Sequence, residues 1–193
     1  IHVPAVFTER EMPRYYRPRK GKVRIGISLR LKAGRPDLEH QGLFYYPLGL
    51  KGSRTGTAVS VNAPFHLDND RSAFSANTEW NEWLLEQAAD ITIDCLVNNW
   101  REMYGPRSFL ALREAETPSS RSDAYLLRIC KLLGERACWP TRSSGRNGLP
   151  LLRPASSIAI PTQREFFGFL QSSMYLHASM DSGAYGEMIK ELA

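Results

Sequence analysis

Past a basic opening stretch, Val23, Ile25, Ile27, Leu29 and Leu31 alternate with Arg24, Gly26, Ser28, Arg30 and Lys32. A period of two predicts a strand with one buried and one wet face. Ala33-Gly34-Arg35-Pro36-Asp37 then turns the chain. A second short apolar run, Leu43 to Tyr46, stops at Pro47, and a polar loop with three glycines follows from Gly49 to Gly56. A third strand is predicted around Ala58 to Asn62. Three strands with short connections predict an antiparallel or mixed sheet.

From Trp80 the period changes. Trp80, Leu84, Ala88, Ile91 and Cys95 recur at steps of three and four, which predicts a long helix with one apolar face. Ser75 or Thr78 suits its N-cap, and Gly105-Pro106 ends it beyond Tyr104. Of the pair Trp80 and Trp83, at least one is expected to face away from the main core. Arg107 to Leu112 predicts a short helix before the loose Thr117-Pro118-Ser119-Ser120 linker. Ser122 is placed to cap a second helix with Tyr125, Leu126, Ile129, Cys130 and Leu133 apolar and Gly134 at its C-terminal end. Cys138-Trp139-Pro140-Thr141 begins a strand, and Ser143 to Gly148 reads as a loop. Ser157 to Ile160 reads as a short strand, Pro161 and Thr162 open a helix through Leu170, and Gly186 to Leu192 forms a last short helix. Strands first, then helices with returning strands, give the class α+β: a mixed sheet with a long helix packed on it and a smaller C-terminal α/β extension.

Composition narrows the class without naming a chemistry. The chain has 193 residues, 42% hydrophobic and 23% charged, an ordinary globular balance. No apolar run approaches the ~20 residues of a membrane helix. Cys95, Cys130 and Cys138 are an odd count with no CxxC pair, which argues against a disulfide framework or zinc ribbon and favours a reducing, cytoplasmic setting. The opening Ile1-His2-Val3-Pro4 lacks an initiator Met and a signal-peptide pattern, so the chain reads as a piece of something longer. The net charge is +5, and the first 35 residues hold ten Lys or Arg against Glu9 and Glu11. In Arg14-Tyr15-Tyr16-Arg17-Pro18-Arg19-Lys20-Gly21-Lys22, cations and aromatics interleave as they do on a nucleic-acid backbone. A short basic run alone is a weak nucleic-acid signal, so a solvated linker is favoured; a surface facing an acidic neighbouring domain is a third reading.

No complete active site is legible. Gly49-Leu50-Lys51-Gly52-Ser53-Arg54-Thr55-Gly56-Thr57 has the donors and cations of a phosphate cradle, but neither the P-loop spacing nor a helix after it. A simple hairpin loop is the expectation there. His2, His40, His66 and His177 are scattered, which makes a zinc triad improbable. Cys95 and Cys130 fall on apolar helix faces and are expected to be buried packing residues, and Cys138 has no neighbouring base. One segment stands apart. Val59 to Arg71 runs from a strand through Pro64-Phe65 into the polar turn Asp68-Asn69-Asp70-Arg71, before the long helix. Arg71 on such a turn suits presentation to an anion outside the domain, and equally a local Asp–Arg surface bridge.

These residues resemble a known family. Thr55-Gly56, Val61-Asn62-Ala63-Pro64-Phe65, Asp70-Arg71 and Glu79-Trp80-Asn81 with Leu84-Leu85 are similar to the region after the ATP-binding domain of sacsin-like proteins, relatives of the heat-shock-ninety chaperone among the GHKL ATPases. Cys138-Trp139-Pro140-Thr141 and Ile158-Ala159-Ile160-Pro161 resemble that family's downstream pattern, so the likeness runs over about residues 20 to 165, most specifically 55–85. The resemblance implies a transducer domain, the left-handed βαβ fold shared with a small-subunit ribosomal protein. It places Arg71 where gyrase-type relatives carry a phosphate-touching lysine, and so implies Arg71 as γ-phosphate sensor, with Asp68, Asn69 and Asp70 shaping its turn. Arg in place of Lys keeps the charge and changes the geometry.

The resemblance also implies what lies elsewhere. The helix-borne Glu and Asn and the D-x-G-x-G segment of a GHKL nucleotide site do not occur here, so ATP and magnesium are expected in an upstream ATP-binding domain and no cofactor in this chain. The organisation expected is a basic linker 1–22, a transducer-like domain 23–115 and a C-terminal extension 116–193. The function implied is relay of ATP binding and hydrolysis into conformational change, chaperone-like or switch-like, with a protein client or nucleic acid, no membrane, and a possible homodimer. The alternative is a non-catalytic nucleic-acid-binding module using Arg14, Tyr15, Tyr16, Arg17, Arg19, Lys20 and Lys22.

Overall fold

Short strands and one long helix account for most of the regular structure. A computed structural model describes residues 1–4, 22–45, 54–68, 78–112, 123–136, 138–144 and 150–154. These form an α+β structure with a mixed sheet, in two compact units: Ile1–Thr92 with Ala111–Arg128, and Ile93–Leu110 with Ile129–Ala193.

In the first unit the alternating stretch is divided among three ladders. Strand β1 (His2–Pro4) pairs antiparallel with β2 (Lys22–Arg24), so His2, Val3, Pro4 and Lys22, four residues assigned on sequence to a linker, are strand. Strand β3 (Gly26–Leu29) pairs antiparallel with β7 (Val59–Asn62), Ile27 opposite Val61. Strands β4 (Leu31–Lys32) and β5 (Arg35–Pro36) make a tight hairpin whose turn residues Ala33 and Gly34 both have positive φ, as a type I′ turn requires. Val23 and Ile25 are buried, whereas Leu31 is 45% exposed. The buried face predicted for the whole run therefore belongs to its first half.

Strand β6 (Phe44–Tyr45) lies on the other edge of β7 and runs parallel to it, Phe44 opposite Val61. Just before β6, Leu43 bridges Arg54 antiparallel, which is the pairing a hairpin loop between them needs, and residues 46–53 lie outside the described residues. β7 has both edges occupied, and Val59, Ser60 and Val61 are buried. Where the ladder ends, side chains take over. Thr55 Oγ1 donates to the Val59 carbonyl at 2.7 Å, Val59 N–H donates to Thr57 Oγ1 at 3.1 Å, and Leu43 N–H to Ser60 Oγ at 3.1 Å. Gly42 lies directly against this strand, its N–H bonded to the Thr57 carbonyl at 2.7 Å.

Helix α1 (Glu79–Cys95) starts at the predicted cap: the Asn81 amide donates to Thr78 Oγ1 at 3.2 Å, and Glu79 and Glu82 in the first turn complement the helix dipole. Within the first unit Trp80, Leu84, Leu85, Ala88 and Ile91 are buried, and Trp83 is half-buried with its ring 5.5 Å from that of Trp80. Tyr125 of helix α3 (Asp123–Glu135) reaches this core. Its ring packs edge-on to Phe44, which packs edge-on to Phe65, with centroids 5.7 Å apart in each pair. The Tyr125 hydroxyl lies 3.1 Å from Thr92 Oγ1, which donates to the Ala88 carbonyl at 2.8 Å. Arg128 Nη2 bonds both carboxylate oxygens of Asp90 at 3.0 and 3.1 Å.

The second unit begins within α1 and continues as a π-helical turn (Leu96–Trp100), marked by the Arg101 N–H bonding the Leu96 carbonyl, then α2 (Arg101–Tyr104) and, after Gly105, a 3-10 segment (Pro106–Leu112) whose Ala111 and Leu112 belong to the first unit. Strands β8 (Trp139–Ser144) and β9 (Pro150–Arg153) pair antiparallel. Trp139 is buried and its Nε1 donates to the Leu133 carbonyl at 2.7 Å, where α3 ends. Arg101 Nη1 donates to the Pro150 carbonyl at 2.8 Å. The N-cap at Ser122, most of the 143–148 loop, the strand at 157–160 and the helices beyond it fall outside the described residues.

Two outcomes follow from this packing. A Cβ at Gly42 would fall inside the van der Waals envelope of the Val59 carbonyl and of Thr55 Oγ1, whereas one at Gly26 meets only Asn62 Cβ at 3.6 Å. Gly42→Ala is expected to lower stability by about 3 kcal/mol and Gly26→Ala by under about 1, read as urea midpoints. Burial pushes the Tyr125 phenol up to about 12, with the Thr92 and Thr57 hydroxyls pulling partly back. Because the unfolded tyrosine releases its proton first, stability is full below about pH 10 and is expected to fall by about 2–3 kcal/mol by about pH 12. Tyr125→Phe should lose about 1 kcal/mol at neutral pH and flatten that alkaline slope in denaturant titrations.

Candidate functional site: the strap between the central strand and the long helix

Strand β7 does not pass freely into α1. Asn62 ends the ladder, and the next residues form a strap in which nearly every backbone polar group has a partner. Ala63 N–H donates to the Tyr45 carbonyl at 3.4 Å, and Phe65 N–H folds back onto the Ala63 carbonyl at 2.9 Å, a γ-turn. Pro64 brings no N–H, and its carbonyl accepts from Trp80 Nε1 at 2.8 Å. His66 N–H donates to Asn81 Oδ1 at 2.8 Å, and Asn81 Nδ2 donates to the His66 carbonyl at 3.1 Å. Phe65 is fully buried, and Asn81 is 2% exposed. Asp68 follows, half-buried, at the end of the described strap.

Of the residues that sequence reasoning placed in the sensor turn, Asp68 is therefore located on this strap. Asn69, Asp70 and Arg71 lie outside the described residues, and α1 begins at Glu79. Of the basic strip, Lys22 is exposed at the start of β2, while Arg14, Tyr15, Tyr16, Arg17, Arg19 and Lys20 lie outside the described residues.

The phosphate-cradle reading of the glycine loop does not survive at its described end. Thr55 and Thr57 are buried, with their hydroxyls bonded to the Val59 backbone and to each other. They terminate the β7 ladder and are not offered to a ligand. Nearby, Arg30, Asp37, Glu39, His40 and Arg54 border an open cavity of about 650 Å³. Arg30 Nε lies 3.5 Å from Asp37 and Nη1 3.5 Å from His40 Nδ1, so opposite charges face each other across it and no single ligand charge is selected. Among the described residues no three His, Cys, Asp or Glu side chains group as a metal site would need. No described helix is long and apolar enough to cross a membrane.

The thiols differ from expectation in degree. Cys95 and Cys130 are half-buried, because each lies at the margin of its helix's apolar face, and Cys138 is buried. Burial raises both Cys95, beside the Asp94 carboxylate, and Cys138, the latter to about 12. Neither of these two thiols is activated toward thiolate. Cys138 should accordingly stay unmodified by a disulfide reagent at about pH 8 in the folded chain and react once the chain is denatured, as mass spectrometry of the labelled peptides would read.

The strap clamp itself was missed on sequence. Its one signal is Asn81, an amide on the stripe it shares with Leu85, Ala88 and Thr92, all buried. No protein-family model matches this chain, and neither the curated proteins nor the solved structures yield a match.

Proposed function

We propose that this chain is the transducer segment of a sacsin-like GHKL ATPase, relaying ATP binding and hydrolysis in an upstream domain into chaperone-like or switch-like conformational change in the cytoplasm. The observation that carries the reading is the strap: β7 leads through a bonded Pro64-Phe65-His66 into Asp68 and then, across the segment holding Arg71, into a long helix. A cation between a central strand and the first turn of a helix is suited to sensing a charge outside its own domain.

In this reading Arg71 is the γ-phosphate sensor, and Asp68, Asn69 and Asp70 shape its turn. A guanidinium presents a fork of donors that matches two phosphate oxygens, and its charge stabilises the charge that develops in phosphoryl transfer. Engagement before hydrolysis and release after it bias the position of the strap, and with it the angle between domains. This chain's own residues supply the sensor and the lever. The nucleotide and its magnesium belong to the upstream domain, and a protein client or a nucleic acid is the partner at the output end.

The test is ATP turnover by the full-length polypeptide with Arg71 and with Arg71→Ala. Turnover is expected to fall about 100-fold or more with the unfolding midpoint unchanged, and Arg71→Lys to fall between the two. Equal turnover by both would remove Arg71 from the mechanism. A wild type without turnover, whose binding of DNA or RNA weakens steeply with salt, would replace this reading by a nucleic-acid module using the Arg14–Lys22 strip.

A further inference from the structure

We infer that Asn81 is a positioning residue that locks the strap after β7 to the first turn of α1, so that Asp68 and α1 move as one body. Its consequence for turnover rests on the transducer reading above. A primary amide carries its donor and its acceptor on two separate atoms, and Asn81 uses both on a single residue, accepting from His66 N–H at 2.8 Å and donating to its carbonyl at 3.1 Å. It thereby does for His66 what a neighbouring strand does inside a sheet. Asn81 is 2% exposed, so water is poorly placed to replace it, and an apolar side chain there would strand two backbone groups.

Two further contacts make the joint stiff, and a third closes the helix end without reaching the strap. Trp80, the preceding helical residue, holds the Pro64 carbonyl at 2.8 Å. Phe65, between the two bonded residues, is buried edge-on against Phe44 of β6. Thr78 closes the helix end by accepting from the Asn81 N–H at 3.2 Å. The strap from Ala63 to His66 thus has few soft torsions left to absorb a displacement arriving at Asp68. Such a displacement passes to α1 through Asn81, which grips His66, two residues before Asp68, on both its backbone groups.

The experiment pairs Asn81→Ala with Thr78→Ala, which loosens the same helical turn without touching His66. Hydrogen exchange of this chain is expected to show the His66 amide exchanging roughly tenfold faster or more in Asn81→Ala and near the wild-type rate in Thr78→Ala, with the second half of α1 unchanged in both. In the full-length polypeptide, Asn81→Ala is expected to lower kcat for ATP roughly tenfold at a KM within about twofold, with Thr78→Ala leaving both within about twofold. An unchanged His66 amide, or an equal loss of kcat in Thr78→Ala, overturns the inference. A wild type with no turnover sinks the transducer reading, while the exchange comparison still decides whether Asn81 locks the strap.

Discussion

The first unit depends on keeping every peptide group of one buried strand bonded. Strand β7 has a neighbour on each edge and shows three of its four residues no solvent, so any unbonded N–H or C=O along it would cost about as much as a buried hydrogen bond is worth. The ladders to β3 and β6 cover its middle. At one end Thr55, Thr57 and the close approach of Gly42 finish the accounting, and at the other the strap takes over with Trp80 and Asn81. Sheet and helix are thus joined by the same requirement, met once by hydroxyls and once by an indole and an amide.

Helix α1 was the most legible element in the sequence, since a 3.6-residue period over many turns has no competing reading, and Thr78 sits where a cap belongs. The strands were legible as segments and less so as partners. The alternation from Val23 to Leu31 is continuous, yet the backbone turns from one ladder to another twice within it, and Leu31 ends in solvent. Periodicity reports which face is apolar and carries nothing about which strand lies alongside. Strand β1 is too short to show a period, and β9 opens on Pro150, which an edge strand tolerates at its first position. The π turn leaves no side-chain signature because its defining bond, Arg101 N–H to Leu96 carbonyl, is between backbone groups.

The candidate site was legible as a segment, Val59 to Arg71, and not as a mechanism. Pro64 and Phe65 read as punctuation between strand and turn. The strap's role comes from partners about sixteen residues downstream, Trp80 on Pro64 and Asn81 on His66, which a one-dimensional reading assigns to a helix face. The glycine loop misled in the opposite direction: Thr55 and Thr57 look available in the sequence and are spent on the backbone of β7. Hydroxyls and amides are ambiguous by nature, because the same group serves a ligand or a peptide bond according to what lies within hydrogen-bond reach.

The parallel pairing of β6 with β7 has a consequence for the order in which the chain folds. A parallel ladder cannot grow outward from a turn, and Phe44 meets Val61 only after the intervening chain has been closed, an entropic cost that the nearer antiparallel bridge of Leu43 with Arg54 reduces. Helix α1, whose bonds are all local, carries no such cost. The nucleus of the first unit therefore combines a preformed helix with late strand closure, and the edge-on stack of Phe65, Phe44 and Tyr125 forms only as that closure completes. Because the stack forms with that closure, weakening it bears on the rate of folding as well as on the rate of unfolding.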